Sequence, residues 1–220
     1  MRLDLHIHSS YSRDGTASPT EILRRCKKIG LDGCAIADHN QIKGTLEAAG
    51  VARAENLLAI RAIEVSTAEG HVLAYGVADI VPRGLSVPET IDLINKAGGL
   101  AVAAHPVRFP SGIGLELAEE CRFDAIEVLN GGSSSRGNRK AMKLADAKRS
   151  STTAGSDAHE LQEIGKAYVE VEDVSSEDDL LEAVRKGFTR PAGRSRSVPE
   201  GIEYSIETLF EWMRGSFKRI

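Results

Sequence analysis

Six histidines punctuate this 220-residue chain. Each lies beside a short apolar run or a turn, and most have a carboxylate close by. His6 and His8 end the opening run Arg2-Leu3-Asp4-Leu5, and His39 follows Asp38. His71 comes seven residues after Glu64, His105 precedes Pro106, and His159 lies two after Asp157. Imidazole and carboxylate together are the ligand set of zinc, manganese, iron and related divalent ions. On a strand, His6-Ile7-His8 places both imidazoles on one face, because side chains alternate with period two, and sends Ile7 into the outer core. Asp157-Ala158-His159 repeats that spacing near the other end. Buried without a neutralising partner, two such pairs would cost several kcal/mol. The distribution points to one metal site assembled from the ends of several strands.

The elements that must position these residues alternate along the chain. Period-two and short apolar runs predict strands over residues 2–8, 33–37, 57–65, 71–77, 100–104, 125–129, 152–155 and 167–171. Amphipathic patterns predict helices over 18–29, 42–56, 87–97, 115–121, 136–149 and 176–186. Ser18-Pro19-Thr20-Glu21 carries a serine cap, a first-turn proline and a third-position glutamate. Ser86 with Glu89, and Ser175 or Ser176 before the acids at 177–179, resemble it; Gly30 and Gly98 supply stops. Strand–helix alternation predicts parallel strands with right-handed crossovers. Most histidines fall at the C-terminal ends of these strands, where parallel α/β barrels build their sites. An open doubly wound sheet would focus ligands at one switch point instead. The expected fold is therefore a distorted (β/α)7, TIM-like barrel, since seven units fit this length better than eight at about 250 residues. His71 opens its strand, at a turn that folds back over the mouth.

Length favours one domain, with residues 1–190 as the barrel and 191–220 as a basic segment and closing helix of the same domain. That helix would present Ile202, Ile206, Leu209, Phe210 and Met213 on one side, either packed on the barrel or offered to a partner. A formal net charge of −4 gives no footprint for obligate nucleic-acid binding. Nothing approaches the ~18 apolar residues of a membrane span. No leader is visible, and three cysteines without CxxC spacing fit reduced thiols, so a cytoplasmic protein that does not bind membranes is expected.

The motifs in order resemble those of the PHP (polymerase and histidinol phosphatase) superfamily. The stretch from Asp4 through His6-Ile7-His8-Ser9 to Asp14-Gly15 is similar to its opening motif. Asp38-His39-Asn40, Glu64-Val65-Ser66, His105-Pro106 and Ser156-Asp157-Ala158-His159 match the later ones. The resemblance runs from about Arg2 to Phe188. It implies a distorted seven-fold barrel holding two to three divalent ions, with zinc, manganese and iron all open. By the same resemblance His6, His8, Glu64 and Asp157 would hold the first ion. The second would share Glu64 as a bridge and add His71 and His105; the third would take Asp14, His39 and His159. Asp14 stands one residue further from His8 than in the commonest form of the motif, with Arg13 intervening. The implied chemistry is phosphoester hydrolysis by a metal-activated bridging hydroxide, carried by Asp14, His39, Glu64, Asp157 and His159.

Further residues have two readings each. Arg108, Arg13, Asn130 and Arg136 are candidate substrate contacts. Arg108 follows the His-Pro pair and is otherwise a loop charge. Asn130 and Arg136 flank a Gly/Ser-rich turn before a helix, which is otherwise a connector. Asp38 either orients His39 or caps a helix; Glu127 is structural or supports a ligand; Tyr11 stacks on a base or forms a wall. The expected substrate is a small phosphorylated molecule, a phosphomonoester, nucleotide or short oligonucleotide, and the oligomeric state is open. Histidinol phosphate is the alternative within the family. Outside it stand an amidohydrolase-like reaction at carbon, which would want a modified lysine where Glu64 stands, and a noncatalytic scaffold, which tends to lose ligands.

Overall fold

A computed structural model describes residues 1–197. In chain order these form β1 (Arg2–Ile7), α1 (Pro19–Ile29), β2 (Gly33–Ile36), α2 (Lys43–Glu55), β3 (Leu58–Ser66), β4 (His71–Tyr75) and α3 (Val87–Lys96). There follow β5 (Leu100–Ala103), α4 (Leu115–Glu120), β6 (Ala125–Asn130), α5 (Ser135–Lys148), β7 (Ser151–Gly155), β8 (Ala167–Glu170), α6 (Glu177–Arg185) and β9 (Arg190–Gly193). The helix expected around Ile202, Ile206, Leu209, Phe210 and Met213 lies outside the described residues.

Local chemistry sets the helix ends. Ser18 and Ser86 both form reciprocal capping boxes with Glu21 and Glu89, so two otherwise orphaned amides at each N-terminus are bonded. Gly30, in the left-handed conformation at φ 76°, stops α1.

The strands form one sheet in the order β7-β6-β5-β4-β3-β2-β1-β8-β9. It curls until the chain just beyond β7 meets β1. There Asp157 N donates to His6 O (2.7 Å), His8 N donates to Ala158 O (2.9 Å), and Ile7 bridges Ala158 in parallel. The result is a nearly closed TIM-like barrel whose ring is β1 to β7. The lower part of the same β1 edge carries β8, which pairs with Arg2 and Leu3.

Two features correct the all-parallel expectation. β4 runs antiparallel to β3 and β5, and β8 antiparallel to β1 and β9. The link from β3 to β4 is only residues 67–70, far too short for a parallel crossover, which needs a dozen or more residues. Reversal of β4 brings His71, its first residue, to the same rim as the C-terminal ends of its neighbours. The start of the basic segment, for which no strand is expected, contributes β9, an edge strand in which Pro191 pairs with Val169.

The interior and the outer layer are separate cores. Leu3, Leu5, Ala35, Ile60, Leu73, Tyr75, Val102 and Ala154 pack inside the barrel, with Leu180, Leu181 and Val184 of α6 against them. Ile7 belongs to an outer cluster with Ile22, Leu23, Cys26, Cys34 and Ile36 under α1 and α2. The register between β1 and β2 shifts between Asp4 and Ile7. This bulge lets Leu5 fill the interior while His6 and His8, flanking an outward Ile7, turn to the mouth.

Candidate metal centre

All six histidines converge at one rim with Asp14, Glu64 and Asp157. His6 is the penultimate residue of the apolar strand β1 and His8 follows that strand; His39 follows β2; Glu64 lies near the end of β3; His71 opens β4; His105 lies just beyond β5. Asp157 and His159 come from the turn after β7, and Asp14 from the β1–α1 loop. His105 (φ 27°), Asp157 (φ 54°) and Asn40 beside His39 (φ 53°) occupy the left-handed region without being glycine. Such conformations persist where the surroundings over-determine them, as at binding sites.

Glu64, 1% exposed, is the hub. Its Oε1 lies 2.9 Å from His105 Nε2 and 3.0 Å from His71 Nδ1. Its Oε2 lies 3.2 Å from His39 Nδ1, 3.3 Å from His8 Nε2 and 3.5 Å from His6 Nε2. Asp157 Oδ1 faces His8 Nε2 (3.3 Å) and His6 Nε2 (3.7 Å), and those two nitrogens are 3.2 Å apart. Asp14 reaches the site across the intervening Arg13: its Oδ2 lies 3.1 Å from His159 Nε2 and 3.4 Å from His39 Nε2.

Four overlapping sets have ligand atoms close enough for one ion: His6, His8 and Asp157; His6, Glu64 and His105; His39, Glu64 and His71; and His8, Asp14, His39 and His159. His8 stands with both Asp157 and the Asp14 set, and His71 and His105 fall in different sets on either side of Glu64.

The electrostatics fit a cation. Against burial, the imidazoles of His71, His6 and His39 hold Glu64 well below the usual carboxylate range. Against burial, the Arg108 guanidinium and His6 do the same for Asp157. Burial alone would lower His8, but Asp157 and Glu64 push it up to about 9; burial lowers His39. Asp14 Oδ1, His39 Nδ1 and His105 Nδ1 are buried atoms without a hydrogen bond; His39 Nδ1 approaches Glu64 but is not aligned with it. Unbonded buried polar atoms are costly, and divalent cations among mixed nitrogen and oxygen donors would satisfy such a set. The nine residues therefore fit divalent metal.

Behind the ligands stand residues that aim them. Glu127 Oε1 is 3.0 Å from His6 Nδ1, and its Oε2 accepts from His105 N (2.8 Å). Ser12 Oγ accepts from His39 N (2.8 Å) and lies 3.3 Å from His8 Nδ1. Asp38 neither orients the His39 ring nor caps α2 through a side-chain bond. Its carboxylate accepts from Ser9 N (2.6 Å) and Ser9 Oγ (2.7 Å), pinning the loop that carries His8. A Cβ on Gly44 would sit 1.9 Å from Asp38 Oδ2 and 2.7 Å from Ser9 Oγ. An exposed helical Gly→Ala change ordinarily stabilises by up to about 1 kcal/mol. Gly44→Ala should reverse that sign, lowering Tm and weakening metal binding; a raised Tm with unchanged binding would refute the contact.

The four candidate substrate contacts separate. Arg108 donates to Asp157 Oδ2 and lines a cavity of about 260 Å³ with His105, Val107, Phe109, Ser133 and Arg196. Arg13 is exposed beside Asp14, and Arg136 is exposed on the first turn of α5, outside the lining of that cavity although Ser134 and Gly137 belong to it. Asn130 is fully buried, both ends of its amide engaged by neighbours, so it braces the site from within. Tyr11 is exposed and donates to Glu47. Asn138, on α5 just past the Gly/Ser-rich turn, and Arg196, far along the chain, carry no local pattern that marks them.

Comparison with known proteins fits this geometry. Residues 135–189 match the family model described as PHP-associated. An uncharacterized protein of Methanocaldococcus jannaschii is 36% identical over 143 residues, covering 59% of this chain and 82% of that protein. A two-domain protein from Bacteroides vulgatus, containing a predicted PHP-like metal-dependent phosphoesterase, superposes with a TM-score of 0.73 at 19% identity. The chain belongs to the PHP superfamily. The match with the Bacteroides protein covers 88% of this chain and 65% of that one, so the chain spans just under two thirds of that protein. The lesion-specific endonuclease of Pyrococcus furiosus superposes with a TM-score of 0.65 at 16% identity, over 87% of this chain and 58% of that one. At these identities the two structures speak for the fold.

Proposed function

We propose that this PHP barrel is a hydrolase of phosphate esters that uses two to three divalent ions, zinc, manganese or iron, and acts on a phosphomonoester, a nucleotide or a short oligonucleotide. The observation that carries the reading is Glu64: one buried carboxylate shared among five imidazoles, with Asp157 and Asp14 serving neighbouring sets. When bound, adjacent divalent ions supply the positive charge that holds phosphate oxygens and the acidity that makes water a nucleophile near neutral pH.

The chain's own residues then have defined tasks. Glu64 would bridge two ions. His6, His8 and Asp157 would complete one site, His71 and His105 the second, and Asp14, His39 and His159 the third. Glu127 Oε1 lies 3.0 Å from His6 Nδ1, where it would hold a proton and leave Nε2 as the donor to metal. In-line transfer at phosphorus needs positioning and charge neutralisation more than proton shuttling. Arg108, Arg13 and Arg136 are our candidates for gripping phosphate, Arg108 being the one that reaches the ligands. Among the described residues no helix is long and apolar enough to cross a membrane. Cys26, Cys34 and Cys121 are free and buried, which supports a reducing cytoplasmic setting.

A panel of p-nitrophenyl phosphate, bis(p-nitrophenyl) phosphate, nucleoside mono- and bisphosphates, histidinol phosphate and short oligonucleotides tests this with manganese and with zinc. We expect turnover that chelator abolishes and added metal restores; faster cleavage of monoesters would mark a phosphatase, and of diesters a nuclease. Turnover confined to a lactone or amide would move the protein to reactions at carbon.

A further inference from the structure

Asp157 has one carboxylate oxygen aimed at the histidines and one turned away from them. Oδ1 faces His6 and His8 Nε2 at 3.7 and 3.3 Å. Oδ2 accepts from Asn130 Nδ2 at 3.2 Å and also from Arg108. The second hydrogen of that same amide goes to Glu127 Oε2 at 3.0 Å, and Glu127 in turn holds His6 Nδ1. Asn130 Oδ1 accepts from Ser133 Oγ (3.0 Å), which fixes the amide's orientation. Asn138 grips the backbone beneath: its Oδ1 accepts from Asn130 N (3.2 Å), and its Nδ2 donates to Asn130 O (2.9 Å) and to Ser195 Oγ (3.0 Å).

We propose that Asn130, clamped by Asn138, is a positioning residue that spaces Glu127 from Asp157 and so selects Asp157 Oδ1 and His6 Nε2 as the atoms offered to metal. The inference rests on the metal-site reading above. Only a primary amide fits this place. Two carboxylates 3.0 and 3.2 Å away need two donors from one planar group, which serine, alanine and aspartate do not provide. Asn130 is fully buried, so no solvent substitutes for a lost donor. Through Asn138 and Ser195 the arrangement also ties the ligands to the chain beyond β9, giving that segment a stake in the site that its sequence does not announce.

Asn130→Asp keeps the shape and removes both donors. Manganese titrated into metal-free protein should bind one site about 10–100-fold more weakly in this variant, the range seen when residues supporting metal ligands are lost. The kcat for p-nitrophenyl phosphate should fall while KM stays within about threefold. Metal-free thermal unfolding separates this from a merely structural role: a folded variant with manganese affinity within about twofold of wild type overturns the proposal, whatever its Tm. Should Asn130→Asp not fold, Asn138→Ala is the deciding variant. A several-fold loss of affinity supports the proposal and unchanged affinity overturns it. Wild-type protein that binds neither manganese nor zinc would instead remove the metal reading itself.

Discussion

Glu64→Gln is expected to lose more than one ion and to lower phosphoester turnover by about three orders of magnitude, a barrier increase of about 4 kcal/mol. The side chain keeps its length and planarity, so the barrel should fold. What disappears is the charge at the centre. Both Glu64 oxygens are used, Oε1 by His71 and His105 and Oε2 by His6, His8 and His39. Glutamine offers one oxygen and a pair of N–H donors, which would point at nitrogens needed as metal donors. Because Glu64 belongs to two of the ligand sets, its loss should reduce metal content at both, whereas His159→Ala should affect only the set with Asp14. Metal analysis beside turnover checks this; full metal content in folded Glu64→Gln would contradict the bridging role.

The second large effect is on stability. Asp4 is wholly buried and accepts three backbone bonds: Oδ1 from Ser156 N (2.8 Å) and His6 N (3.3 Å), and Oδ2 from Gly165 N (2.9 Å). It therefore fastens β1 to the chain after β7, where the barrel closes. Asp4→Ala would strand those amides, each at about 1–3 kcal/mol, so we expect a loss of about 3–5 kcal/mol in urea unfolding. Because Ser156 precedes Asp157 and His6 is itself a ligand, metal affinity should fall as well. A loss under about 1 kcal/mol would show that the seam is held elsewhere.

Much of this was legible in the sequence, and for stated reasons. Serine caps at Ser18 and Ser86 marked helix starts because capping is local chemistry. Period-two spacing put His6 and His8 on one face, and the structure keeps their nitrogens 3.2 Å apart. His71, the one histidine at a strand's start, anticipated a fold-back, but the antiparallel pairing it requires was not drawn from the pattern of alternating strands and helices. β9 was missed because Arg190 to Gly193 carries proline and glycine, and edge pairing leaves little hydrophobic signature. The bulge in β1 was invisible for a different reason: Leu5 and His6 read as ordinary alternation, and only pairing with β2 shows the slip. Asn130 shows the limit most clearly. A Gly/Ser-rich neighbourhood suggests a connector, yet Glu127 and Asn138 from the flanking elements close on the residue, and the fold adds Asp157 from the turn after β7.

The central claim is that Glu64, Asp157 and Asp14 with six histidines hold divalent metal. Anomalous diffraction from crystals grown with manganese, recorded on both sides of the metal edge, addresses it directly. We expect two to three peaks, one beside His6, His8 and Asp157, one beside Glu64 and His105 or His71, and the third, where present, beside Asp14, His39 and His159. No peak among these nine residues, with phosphoester turnover persisting in chelator, would contradict the account.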